Sequence, residues 1–234
     1  MLANGLSISR GTAFVATSAA GKHFLLTNRH NVTGRHQETG ALLSSKCAIP
    51  DTLRVWHNSS LGLGQFVPID VPLLIDDKPT WIEHPVLGEA ADFVAMPVIA
   101  SPAIHLYPYT TSYLAHMNIT PAQPISVVGF PFGERTGASF AVWATGFVAT
   151  EPEMNHGGRP VFLIDCRSRQ GQSGSPVIKH HSQGTLLPDG DGNAIHSSVD
   201  WLLGIYSGRI NPESDLGVVW KTYAIAELID SASV

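Results

Sequence analysis

Short apolar runs, each cut off after a few residues by Gly, Pro, Asn or Asp, constrain this chain more than any other feature. Runs rich in Val, Ile, Leu, Phe, Trp and Thr cover residues 11–17, 23–27, 53–57, 66–71, 80–83 and 93–98. A second set covers 125–130, 139–150, 160–165, 176–179, 202–207 and 216–223. Their length and bounding residues are those of strands. With 22 Gly and 16 Pro among 234 residues, turns are plentiful. Six strands, a connection and six more predict an all-β fold, two six-stranded antiparallel β-barrels packed together. The expected division is an N-terminal barrel over about 11–100, a Pro-rich connection over 101–123, a C-terminal barrel over 124–222 and a short helix over 223–231. The helix is expected because Ala224, Ile225, Leu228 and Ile229 recur with helical spacing. Two stretches, 35–49 and 180–200, are polar and Gly-containing and read as a surface loop and an extended hairpin tip.

Composition excludes several function classes. Charged residues make up 14% of the chain and the net charge is −5, so the basic surface that nucleic acid or an anionic membrane requires is missing. High apolar content with small charge argues against disorder. No apolar stretch approaches the roughly 18 residues of a membrane helix. The N-terminus lacks a basic start followed by a long apolar segment, so no secretory signal is expected. Cys47 and Cys166 are the only cysteines, and the simplest reading is two reduced thiols in a cytoplasmic protein. A single bridge, or a mature chain that has lost its signal, would leave a similar pattern, although Met1 argues against the latter.

Three local signals carry chemistry. The first is Gly171-Gln172-Ser173-Gly174-Ser175-Pro176 before an apolar strand. A serine hydroxyl needs a base within reach and donors for the oxyanion it creates, and flanking glycines let main-chain amides converge in one concavity. Ser175 stands where the G-x-S-x-G elbow needs its last Gly, so this is a different nucleophile turn. The second is Phe24-Leu25-Leu26-Thr27-Asn28-Arg29-His30, a strand delivering a histidine at its end, and histidine is the usual general base near neutral pH. The third is Asp92 before the apolar Phe93-Val94-Ala95-Met96, where a half-buried carboxylate needs a partner such as an imidazole N–H. Each alone reads as well as a turn serine, one of 11 histidines or a strand-capping acid. Together they appear in the order His, Asp, Ser, with spacings of 62 and 81 residues.

That order and its context resemble the trypsin-like (chymotrypsin-fold) serine proteases, particularly the bacterial high-temperature-requirement (HtrA) type. The residues carrying the resemblance are Gly11-Thr12-Ala13-Phe14, Thr27-Asn28-Arg29-His30, Asp92-Phe93-Val94-Ala95, Gly129-Phe130-Pro131-Phe132-Gly133, Thr145-Gly146-Phe147-Val148, the Ser173 hexapeptide and Gly204-Ile205-Tyr206-Ser207. The resemblance implies a serine endopeptidase. Ser173 would be the nucleophile, His30 the general base and acid, Asp92 the orienting acid, and the amides of Gly171 and Ser173 the oxyanion hole. The Ser207, Gly208 and Arg209 backbone would pair with the substrate. Arg167, six residues before Ser173, would lie near the base of the primary specificity pocket, where a cation would favour an acidic side chain. The alternatives are that Arg167 turns outward or pairs with Glu213 or Asp215.

The departures also speak. Digestive members carry Asp before the nucleophile to receive a new N-terminal ammonium. Gln172 stands there and cannot form that ion pair, so no activation by N-terminal processing is expected. The family's cysteine pair near the histidine is absent. No peptide-binding module follows in this sequence, so regulation by an appended domain is not expected, and a separate regulatory protein partner is left open.

Asp189-Gly190-Asp191-Gly192-Asn193 with Asp200 has calcium-loop spacing, but Ala194 occupies the position needing Gly, so a hairpin turn is the better reading. His180-His181 and His30/His36 lack zinc-type companions. No cofactor or metal is expected, and the partners expected are a protein or peptide substrate, with no nucleic acid and no membrane. Competing readings are a protease-like binding module, a latent protease awaiting its partner, and an esterase using the same triad.

Overall fold

The computed structural model describes residues 1–99, 101–111, 119–133, 140–183, 198–211, 213–233 of the chain. The second half is built as expected. Strands β12 (Pro124–Gly129), β13 (Val142–Val148), β14 (Val161–Asp165), β15 (Pro176–His181), β16 (Val199–Arg209) and β17 (Leu216–Lys221) close a six-stranded barrel in the order β12-β13-β14-β17-β16-β15. Pro124 and Pro176 each open their strand, the position where a missing N–H does least harm to a ladder. Ile125, Val127, Val148, Phe162, Ile164, Val177, Leu203 and Val219 fill the barrel, as the alternation in β12 and the continuous apolar run of β14 require.

The first half departs from the expected second six-stranded barrel. Its strands are β1 (Leu2–Ala3), β2 (Leu6–Ser7), β3 (Phe14–Thr17), β4 (His23–Thr27), β5 (Thr52–Ser59), β6 (Phe66–Pro72), β7 (Leu74–Ile75), β8 (Lys78–Pro79), β9 (Val94–Pro97), β10 (Ile104–His105) and β11 (Tyr109–Thr110). Among the described residues they form separate sheets: β10-β5-β1-β2 with β6 on β5, β11-β3-β4-β9, and the small β7-β8 ribbon. Prolines explain the open edges. Strand β6 contains Pro68 and Pro72, and β9 ends on Pro97; each removes a donor that closure would need. The expected strand at 80–83 reduces to an isolated bridge, Ile82 to Ala95. The expected connection at 101–123 supplies β10 and β11, the latter lying parallel to β3. The loop at 35–49 carries one bridge, Arg35 to Leu42. Residues 184–197, with the Asp189-Gly190-Asp191-Gly192-Asn193-Ala194 segment, lie outside the described residues.

The two halves share a core. Phe14, Leu26, Phe93 and Ala95 from the first half pack in one cluster with Ile178, Leu202, Ile205 and Trp220 from the second. Helix α2 (Thr222–Ser231) joins it through Ala224, Ile225, Leu228 and Ile229, all fully buried. Phe93 touches Trp220 directly, with ring centroids 5.4 Å apart. Its neighbour Asp92 is thereby brought to the seam between the halves. Among the described residues no helix is long and apolar enough to cross a membrane.

Leu228 has no exposed surface, and its truncation leaves a cavity at this shared core. Leu228→Ala is expected to lower unfolding stability by about 2–5 kcal/mol; urea denaturation followed by tryptophan fluorescence measures it, and a loss under about 1 kcal/mol contradicts the packing described.

Candidate active site at the seam

Strand β4 runs into a single helical turn, α1 (Arg29–Thr33), which the sequence pattern did not reveal. Asn28 leads into it with extended backbone, and Gly34 ends it in the left-handed region at φ 66°. His30 therefore sits in the first turn of a short, fixed element. Its backbone N–H donates to Asp92 Oδ1 at 3.0 Å and its Nδ1–H to Asp92 Oδ2 at 2.7 Å. The Ser207 hydroxyl donates to the same Oδ2. Asn28 Nδ2 holds the Asp92 carbonyl at 2.6 Å. Asp92 is only 3% exposed, so three donors compensate a carboxylate that water barely reaches. This arrangement leaves Nε2 as the nitrogen of His30 free to serve as a base.

The Ser173 loop is tied to the first half by its main chain. The Ser173 carbonyl accepts from Thr12 N–H at 2.9 Å and from Asn31 Nδ2 at 3.2 Å. Asn31 follows His30 on α1, so one turn of helix touches both Asp92 and Ser173. Thr12 also donates its hydroxyl to the Gly171 carbonyl at 2.9 Å, and Thr27 donates to the Thr12 carbonyl at 2.8 Å. On the other side the loop joins β16: Gly174 N–H reaches the Tyr206 carbonyl and Tyr206 N–H the Ser175 carbonyl, both at 2.9 Å.

The turn before Ser173 is closed by Gln172. Its N–H donates to the Arg169 carbonyl at 3.1 Å, and its side-chain Oε1 accepts from Arg169 N–H at 2.6 Å. The side chain is fully buried. Gly171 takes φ 96°, and a Cβ there would stand 2.5 Å from the Phe130 carbonyl oxygen, so glycine is required. The Gln170 carbonyl accepts from Phe132 N–H at 2.6 Å. Because the peptide is trans, the Gly171 N–H points the opposite way, off the 130–133 loop. Among the described residues neither the Gly171 nor the Ser173 amide has an acceptor.

Of the substrate-side residues, Ser207 faces Asp92 rather than solvent, and the pairing of β16 with β17 slips between Tyr206 and Gly208. Strand β15 accompanies β16 only as far as Ile205, so the Ser207–Arg209 edge on that side is open among the described residues. Arg167 is exposed, and the cation beside Asp215 is Arg169, at 3.4 Å. The adjacent Ser168 is fully buried and shares a hydrogen bond with the Tyr206 hydroxyl. Burial pushes that phenol up to about 12. A cavity of about 410 Å³ lies mostly in the first half, lined in part by Arg10, Thr12, Asn31, Trp56 and Phe130.

The family described as trypsin-like peptidase domain matches residues 11–187. The chain belongs to that family. Among solved structures, the thermostable serine protease AL20 from an extremophilic microorganism is 12% identical, with TM-score 0.52 over 95% of this chain and 89% of that one. The HtrA-type protease AlgW with a decapeptide is 16% identical, with TM-score 0.53 over 95% of this chain and 51% of that one. The active form of the M. tuberculosis protease Rv3671c is 18% identical, with TM-score 0.47 over 94% and 71%. No curated protein sequence matches. The chain thus carries the fold of trypsin-like and HtrA-type serine proteases.

Thr12, Thr27, Asn31 and the Gln172 side-chain clamp escaped the sequence reading as site residues. Asn31 beside His30, and Thr12 opening the first strand, were visible, but only the folded seam shows what they reach. Both cysteines are free, Cys47 exposed and Cys166 buried. Burial, then the Asp165 and Asp215 charges, pushes the Cys166 thiol up to about 11. It stays protonated at pH 8, and the thiolate is the reactive form. Ellman's reagent at pH 8 is expected to titrate one thiol in native protein and two in urea; rapid reaction of both in the native state contradicts the burial.

Proposed function

We propose that this trypsin-like peptidase domain is an active serine endopeptidase working through Ser173, His30 and Asp92. The observation that carries the reading is the buried Asp92 carboxylate held on His30 Nδ1 at 2.7 Å, with Ser173 roped to the same helical turn through Asn31. In this reading the Ser173 oxygen bonds to the scissile carbonyl carbon while its proton passes to His30 Nε2. The imidazolium then gives that proton to the leaving amine as the C–N bond breaks. Water repeats the sequence on the acyl-enzyme: its proton goes to His30, its oxygen to the acyl carbon, and Ser173 is restored. Asp92 keeps Nδ1 protonated and steadies the imidazolium. The Gly171 and Ser173 amides, both without an acceptor among the described residues, would bind the oxyanion. A peptide would add along the Ser207, Gly208 and Arg209 edge, open among the described residues, as an extra strand. The Gln172 clamp closes the turn from within the chain, which supports a site that needs no incoming ammonium. The peptide carried by AlgW supports a peptide or protein as the substrate class.

A fluorophosphonate probe tests the nucleophile. Wild type is expected to label, and Ser173→Ala to lose all labelling. Absence of label on wild type, alone and in cell extract, would favour a peptide-binding module over an enzyme. Asp92→Asn is expected to lower kcat on a peptide substrate by about 10⁴, because it stabilises the wrong tautomer of His30. Ser207→Ala removes one donor to the buried carboxylate and is expected to lower kcat by about ten- to a hundredfold, with KM nearly unchanged.

A further inference from the structure

Helix α1 carries two neighbouring side chains with ties at the seam. His30 is fastened to Asp92, and Asn31 reaches the loop that bears Ser173. The Asn31 side chain is buried. Its Nδ2 donates to Thr27 Oγ1 at 3.0 Å and to the Ser173 carbonyl at 3.2 Å. The single hydroxyl hydrogen of Thr27 goes to the Thr12 carbonyl, so the Thr27 oxygen can only accept from Asn31. That fixes which end of the amide faces the loop: the donor end. Among the described residues this is the direct hydrogen bond between α1 and the Ser173 loop. Thr12 N–H holds the same carbonyl, but Thr12 is no part of the element that carries the imidazole.

A second observation shows that room is kept for this amide. A Cβ on Gly11 would stand 2.8 Å from Asn31 Nδ2, and 3.1 Å from both its Cγ and its Oδ1. The Gly11 backbone takes no left-handed angle, so its conformation does not call for glycine. The space does, because the Asn31 amide lies against the bare Cα.

We propose that Asn31 is a positioning residue whose amide sets the spacing between His30 and the Ser173 hydroxyl, with Gly11 supplying the space that amide needs. The inference rests on Ser173 being the nucleophile. A hydroxyl passes its proton to an imidazole only within hydrogen-bond reach, and a misplacement of about 1 Å costs on the order of a hundredfold. Asn31 touches no reacting atom; it acts by tying the Ser173 backbone to α1.

The full chain is assayed by its rate of fluorophosphonate labelling and by its hydrolysis of p-nitrophenyl acetate. Asn31→Ala is expected to slow labelling and lower kcat by about ten- to a hundredfold, with KM nearly unchanged and labelling still running to the wild-type end point. A lowered end point with an unchanged rate per labelled site marks a role in stability alone and overturns the proposal. Asn31→Asp keeps the shape but turns an oxygen to the Ser173 carbonyl, and is expected to lose at least as much. Wild-type rates in that variant assign the effect to packing and reject the hydrogen bond. Gly11→Ala displaces the amide without removing it and is expected to reproduce the Asn31→Ala loss, whereas the doubly substituted chain is no slower than Asn31→Ala alone. Wild-type rates in Gly11→Ala, or losses that multiply in the double variant, contradict the coupling. If the fluorophosphonate leaves wild type unmodified, the nucleophile reading falls and this one with it. Labelling of wild type with equal rates in the variants defeats the Asn31 role alone.

Discussion

A carboxylate almost sealed from water at the junction of two β-structures is the constraint around which this molecule is arranged. An isolated buried charge is untenable in a protein interior, and removing one of its partners is far more damaging than the average hydrogen bond suggests. Asp92 meets that demand with donors from both halves: the His30 ring and amide from α1 and the Ser207 hydroxyl from β16. The carboxylate therefore orients an imidazole and fastens the seam at once. The apolar residues on either side of it, Ala91 and Phe93, are fully buried in the core shared with Trp220 and α2, so the position of Asp92 is set by packing as well as by hydrogen bonds.

The Ser173 loop shows the same economy. Thr12 is a small residue just before β3, yet it holds the loop at Gly171 through its side chain and at Ser173 through its backbone. Thr27 fixes Thr12 in turn, and Asn31 bonds both Thr27 and Ser173. Sliding one half past the other would break this chain of donors and acceptors together. The halves are thus joined by a continuous hydrophobic cluster and, above it, a polar network in which each hydroxyl is used more than once, an arrangement that favours a single relative placement.

Most of the C-terminal barrel and the contact between His30 and Asp92 were legible in the sequence. The barrel strands announce themselves because β-branched runs such as Val161-Phe162-Leu163-Ile164 are bounded by turn residues, and the order His, Asp, Ser narrows the chemistry. What was hidden depends on long-range pairing. Nothing local distinguishes β6, whose prolines leave the first sheets open, from a strand that closes a barrel. The run at 80–83 has strand composition but finds only one bridge partner. The single turn of α1 is too short for periodicity to register. Counting back from Ser173 located the segment that carries Arg167, but spacing alone could not say that Arg167 faces out while Ser168 faces in. That choice is made by Tyr206, far away in the chain, whose hydroxyl takes Ser168 as its partner.

Gln172 occupies a place where a charged residue would link the nucleophile turn to a distant ammonium. A neutral amide bonded to the backbone three residues earlier gives the same closure by dipoles alone. Such a bond is not screened by added electrolyte as an ion pair is, and it has no proton to gain or lose across the biological range. The closure that Gln172 gives this loop is therefore indifferent to ionic strength and acidity, and the only salt-sensitive contact described in the same turn is the Arg169–Asp215 pair.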